Sequence, residues 1–84
     1  MAIIGEHLMV SEQTAAWCIR TADGWSASWI PCRLLDRNRA ITSIMIAEVI
    51  AQGAKPGHRL WPHVLNWLDE IGLTVADLPT GGAP

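Results

Sequence analysis

The sequence has no phenylalanine and no tyrosine, and only 17% of its 84 residues are charged. Soluble domains usually contain about 25% charged residues. Half of the residues are apolar, and a chain of this length buries only about 60–65% of the surface that its unfolded form exposes. We therefore expect apolar surface that one copy does not bury. The large aromatic residues are all tryptophans: Trp17, Trp25, Trp29, Trp61 and Trp67.

The sequence also lacks an excess of positive charge and a long hydrophobic run. Its net charge is −2 and its pI is about 5.8, so no global positive field attracts nucleic acid or anionic lipid. The most apolar segment, residues 40–51, is too short and too polar to span a bilayer. Residues 1–7 lack the basic stretch and cleavage site of a signal peptide. These absences predict a cytoplasmic protein that does not associate with membranes.

Strand signals are concentrated in the first third of the chain. Residues 15–21 and 25–30 are rich in aromatic and β-branched residues, which favour strands. Asp23-Gly24 between them is a strong hairpin signal, and we expect Pro31 to end the second strand because proline has no N–H to donate. Residues 2–10 are compatible either with a third strand or with a poorly ordered lead-in.

Helix signals follow the hairpin. Asp36 is a plausible N-cap for a helix over residues 37–52, and a second helix is predicted over residues 60–71, with Gly72 as its C-cap. The first of these helices is apolar nearly all round, which is typical of a helix buried on all sides. We expect a single α+β domain over residues 1–78 and a disordered tail over residues 79–84.

One hairpin and one other helix cover such a helix poorly, and a lone hairpin is marginally stable in water. We therefore expect a homodimer in which two hairpins pair across a two-fold axis.

A two-residue turn at Asp23-Gly24 places Arg20 between Trp25 and Trp29 on one face of the hairpin. Arginine and tryptophan interact through cation–π contacts and are enriched in interface hot spots. Which face of the hairpin meets the helices is left open by the sequence. The predicted partner-binding residues are Arg20, Trp25 and Trp29 on the hairpin, with Arg33 and Arg37 beside them.

A nucleic-acid interface is the alternative. Phosphates bind to clustered cations, and bases stack on tryptophan. Cations at the start of a helix oppose its dipole, so such a cluster is not explained by helix stability. The residues of this alternative site are Arg33, Arg37, Arg39, Lys55 and Arg59.

Metal and catalytic chemistry are not indicated. Thirteen residues separate Cys18 from Cys32, where two to four are typical of a compact zinc site that also uses histidines such as His58 and His63. Cys32 is a candidate thiolate near a helix start, although no base accompanies it in the sequence. No phosphate loop, carboxylate pair or serine elbow is present. We expect no metal, no cofactor and no enzymatic activity.

The segment from Trp29 to Glu48 carries a family resemblance. It contains Trp-x-Pro-x-Arg-x-Leu over residues 29–35 and Arg-Asn-x-Ala-Ile-Thr over residues 37–42. It resembles a segment of short uncharacterised proteins of actinobacteria and their phages and mobile elements, with Cys32 where glycine is expected. The resemblance implies a phage or mobile-element accessory protein that binds a host protein. It transfers no catalytic residue.

Overall fold

The computed structural model describes residues 2–78, and within them the side chains of Ala2, Pro31 and Cys32 are not described. The tail expected over residues 79–84 lies outside the described residues. Five antiparallel strands form one sheet in chain order: β1 (Ala2–Ile4), β2 (Leu8–Ser11), β3 (Trp17–Thr21), β4 (Gly24–Ala27) and β5 (Ile30–Leu35). Two helices follow, α1 (Arg37–Ala51) and α2 (Trp61–Ile71), and then a short 3₁₀ turn, Val75–Asp77. The α+β class is confirmed.

The N-terminal segment forms two strands, whereas the sequence is compatible with one strand or with a poorly ordered lead-in. The chain reverses between β1 and β2, and the N–H of Gly5 donates to the carbonyl oxygen of Leu8 at 2.9 Å. A Cβ at Gly5 would lie 2.9 Å from that same oxygen. The turn therefore requires glycine there, because a side chain would meet backbone atoms.

The central hairpin of β3 and β4 differs in register from the prediction. Thr21 faces Gly24 and Arg20 faces Trp25, so the two loop residues are Ala22 and Asp23. Gly24 has a φ of +146°, a conformation that other residues rarely adopt. Glycine is needed here just after the loop, not inside it. Arg20 and Trp25 still share a face of the sheet.

Trp29 and Pro31 also occupy positions that the sequence did not predict. Trp29 lies in the turn between β4 and β5, so it is not on a hairpin strand beside Arg20. Pro31 does not end a strand, because it is the second residue of β5. β5 is an edge strand that pairs only with β4, and an edge strand tolerates a residue without an N–H.

Helix α1 lies on one face of the sheet, which we call the inner face, and α2 packs against α1. The inner face supplies the core residues Met9, Cys18, Trp25, Ala27, Ile30 and Leu35, and the helices supply Ala40, Ile44, Ile46, Val64, Leu68 and Ile71. The prediction that one copy covers α1 poorly assumed a sheet of only two strands. With a sheet of five strands, the chain buries most of this helix itself, although Met45 remains 38% exposed.

Asp36 is the N-cap of α1, as predicted. Its Oδ1 atom accepts a hydrogen bond from the backbone N–H of Arg39 at 2.7 Å, and its Oδ2 atom accepts one from Nη1 of Arg39 at 2.6 Å. Because an N-cap side chain satisfies a helix N–H that otherwise has no partner, we expect Asp36→Ala to lower the free energy of unfolding by about 1–2 kcal/mol. Urea denaturation followed by circular dichroism measures this change.

The matched control for this substitution is Asp69→Ala. Asp69 is an exposed carboxylate in the last turn of α2, where a negative charge opposes the helix dipole. Its removal is expected to leave stability unchanged or slightly higher. Equal stabilities of the two variants would contradict the capping role of Asp36.

Candidate functional site

The face of the sheet opposite the helices, which we call the outer face, is apolar and open. Strand pairing aligns Ile3, Val10 and Trp17 in one row, and Leu8 with Ile19 in a second. Along each strand these residues alternate with residues of the inner face. The large side chains left exposed there are Ile3 at 57%, Leu8 at 49%, Trp17 at 43%, Ile19 at 46% and Leu34 at 46%.

The size of this patch matches that of the largest apolar patch on a typical monomer. One tryptophan and four leucine or isoleucine residues are each about half exposed. If each has roughly 150–200 Å² to bury, at the lower part of the aromatic range, they leave on the order of 400–500 Å² of apolar surface. The largest apolar patch on a typical monomer is about 300–600 Å² and is often functional. The outer face therefore lies within this range, on a chain whose total accessible surface is 5247 Å².

The outer face is also free of charge within the described strands. Among the outward positions whose side chains the structure describes, the polar side chains are the hydroxyls of Thr21 and Ser26. The Thr21 hydroxyl donates to the carbonyl oxygen of Gly24 at 2.8 Å, so it is already satisfied within the hairpin. A surface of this kind offers apolar contact and few groups that lose hydration on binding.

The predicted partner-binding residues are divided between several places. Arg20, Trp25 and Arg37 line one open cleft of about 480 Å³, together with Glu6 and Asp36. This cleft lies beside the start of α1, and both signs of charge are present in it.

Trp25 and Trp29 are held by the core. Trp25 is only 4% exposed and belongs to the core cluster. Trp29 is half-buried, and its indole N–H donates to the carbonyl oxygen of Ser43 on α1 at 3.2 Å. The side chain of Trp25 therefore offers little area for contact with another molecule, and Trp29 attaches the β4–β5 turn to α1.

Arg33 and Arg39 bind the C-terminal end of α2. Nη1 of Arg33 donates to the carbonyl oxygen of Ile71 at 2.9 Å, and Nε of Arg39 donates to the carbonyl oxygen of Glu70 at 3.1 Å. The last carbonyls of a helix lack intrahelical partners and carry partial negative charge, so cations are favourable there. These two arginines explain how α2 is attached to the segment around β5 and the start of α1.

The residues of the nucleic-acid alternative do not form one basic patch. Arg33 and Arg39 line a second cleft, of about 350 Å³, with the acidic residues Asp36, Asp69 and Glu70. Lys55 and Arg59 lie in the connection between α1 and α2. Carboxylates beside the arginines oppose phosphate binding, because a phosphate would be repelled by them.

Cys18 is a buried core thiol. It is fully buried, its Sγ lies 3.3 Å from Oγ of Ser43, and it donates to the carbonyl oxygen of Ala40 at 3.7 Å. Burial raises the pKa of the Cys18 thiol above its ordinary value of 9.0. In the part of the chain that the structure describes, no three histidine, cysteine or acidic side chains lie close enough together to hold a metal ion. The side chain of Cys32 is outside that part.

The outer face is not among the sites that the sequence predicts. A signal was present, because Leu8 and Val10, and Trp17 and Ile19, are apolar pairs spaced by two residues, and such pairs lie on the same face of a strand. The intervening residues Met9 and Cys18 are apolar as well, so the pattern predicts two apolar faces without indicating which one the helices cover.

Comparison with known proteins gave no relative from which a function follows. No model of a protein family, no curated protein and no solved structure matches the chain. Among residues 2–78, neither helix has the length and apolar character required to cross a membrane. The geometry and chemistry of the surface are therefore the basis for inferring a function.

Proposed function

We propose that this chain is a non-enzymatic protein-binding module and that the outer face of its sheet is the contact surface. The supporting observation is that five large apolar side chains are about half exposed on one uncharged face, while the other face of the same sheet is buried under helices. The largest apolar patch on a monomer is of this size and is often functional. The proposal keeps the predicted class of function and moves the main contact from Arg20, Trp25 and Trp29 to the outer face.

Arg20 and Arg37 have a secondary place in this proposal. Both are exposed at the cleft beside α1, away from the apolar rows, and charges at the rim of an interface mainly affect the rate of association and its salt dependence. The nucleic-acid alternative stays a prediction that no structural observation favours. A cytoplasmic location and an action on a host protein are parts of the proposal that depend on the sequence arguments. The homodimer is kept as well, with its contact moved from the hairpin edges to the outer face.

The contact role predicts a loss of binding when the outer face becomes polar. The test variant is Trp17→Thr combined with Ile19→Thr, since threonine favours strands and leaves the backbone pairing of β3 intact. In affinity capture from the lysate of the source cell, the tagged wild-type chain is expected to retain its protein partner, an untagged copy of the chain included, and this variant to lose it. The captured proteins are compared by quantitative mass spectrometry.

Leu65→Gln is the matched control for the capture experiment. Leu65 is 42% exposed, similar to Trp17 and Ile19, but it lies on α2 and away from the outer face. This variant is expected to capture the same proteins as the wild type. A captured set that is identical for the wild type and the outer-face variant would show that the outer face is not the contact surface.

A further inference from the structure

We infer that the protein bound to the outer face is a second copy of this chain, packed outer face against outer face about a two-fold axis. The inference rests on the proposed function, because it requires the outer face to be a protein-contact surface. The resulting dimer has four layers, with the helices of each copy outside and the two sheets in contact at the centre. It differs from the hairpin-to-hairpin pairing that the sequence suggested.

Pairing through the edges of the central hairpin is not open to the folded chain. β3 is bonded to β2 and β4, and β4 is bonded to β3 and β5. The backbone groups that another hairpin would pair with already have partners inside the sheet. Packing through the outer face needs no backbone hydrogen bonds, because stacked sheets contact one another through side chains at a spacing of about 10 Å.

The lack of charge at the described outward positions allows the outer face to contact a second copy of itself. In a two-fold dimer the same patch contacts itself, so any residue near the axis meets its own counterpart. A charged residue there would face an identical charge at short distance and would destabilise the dimer. The outward positions whose side chains the structure describes carry apolar groups and two hydroxyls, and none of these repels its own copy.

The available area approaches the lower end of what specific dimers bury. Two outer faces supply on the order of 800–1,000 Å² of apolar surface from the five large side chains of each copy, and a specific interface buries about 1,200–2,000 Å² in total. Val10, Thr21 and Ser26 lie between and beside these side chains and add to the contact. Two twisted sheets pack face to face with their strands about 30° apart, which brings Trp17 of one copy among the aliphatic side chains of the other.

Sedimentation equilibrium of the purified full chain tests this inference. At about 100 µM, a dimer with a dissociation constant of about 1 µM is almost fully formed. The wild type and Leu65→Gln are expected to show twice the 9.2 kDa mass of one chain. The variant with Trp17→Thr and Ile19→Thr is expected to show the mass of one chain, with a circular dichroism spectrum like that of the wild type.

Two results would overturn the inference. One is a wild-type chain that sediments as a monomer at this concentration. This result does not depend on whether the variants fold. The other is a dimer that persists in the folded outer-face variant, because another surface then holds the copies together. Neither result decides the proposed function, which fails only if the captured proteins are unchanged by the outer-face substitutions.

Discussion

Trp25→Ala is expected to lower the free energy of unfolding by about 3–5 kcal/mol, the usual cost of replacing a buried large aromatic residue with alanine. Trp25 is 4% exposed and lies in the core cluster. It is paired with Arg20 on β3 and with Leu35 on β5, so its loss leaves a cavity where three strands meet. Small domains have a total stability of about 5–15 kcal/mol, and a loss of this size leaves a considerable part of the protein unfolded.

Urea denaturation monitored by circular dichroism measures this effect, with Leu65→Ala as the control. Leu65 is 42% exposed, and alanine favours helices, so the control is expected to change stability by about 0.5 kcal/mol or less. A Trp25→Ala variant as stable as the control would show that the indole is not a core group. Loss of partner binding in Trp25→Ala therefore reports unfolding, and Trp17 is the informative position for binding.

The thiol of Cys18 is expected to react at least about 1,000-fold more slowly in the native protein than in the urea-unfolded chain, because opening of a stable core is that rare. Cys18 is fully buried, and burial raises its pKa, so the reactive thiolate is disfavoured as well. The rate is followed with a chromogenic disulfide reagent at pH 8. The Cys32→Ser background leaves one thiol to observe.

The same thiol makes stability depend on pH above its ordinary pKa. Because the folded state keeps a proton that the unfolded chain loses above pH 9.0, the stabilising contribution is complete below that pH and is lost as the pH rises through the folded pKa. The expected slope is a loss of up to about 1.4 kcal/mol per pH unit. The sequence has no tyrosine, so no phenol titrates in this range.

Cys18→Ala in the Cys32→Ser background is the control for both measurements. It removes the thiol signal and is expected to flatten the fall in stability just above pH 9. Rapid modification of native Cys18 would contradict its burial. An unchanged pH dependence in Cys18→Ala would assign the effect to another group.

Local signals in the sequence were sufficient to predict the helices. Asp36 satisfies the start of α1 and Gly72 adopts a φ of 85° at the end of α2, and both roles follow from the chemistry of single residues. The predicted helices over residues 37–52 and 60–71 agree with the observed ones within one residue at either end. The α+β class followed from the order of these elements.

The sheet and the surface depended on long-range contacts that single residues do not encode. β5 was missed because Pro31 argues against a strand, and only its position at the sheet edge makes a strand acceptable. The roles of Arg33 and Arg39 depend on α2, whose last carbonyls lie more than thirty residues away in sequence. The outer face was missed because apolar residues occur on both faces of β2 and β3, and only the packing of α1 decides which face stays exposed.

The central claim is that the outer face binds another protein and that this protein is a second copy of the chain. Isotope-filtered NMR on an equal mixture of labelled and unlabelled wild-type chains tests it most directly. We expect intermolecular contacts between the indole protons of Trp17 and the methyl groups of Leu8 or Ile19 of the second copy. Intermolecular contacts confined to α2 residues such as Leu65, or none at about 100 µM, where a micromolar dimer is formed, would contradict the account.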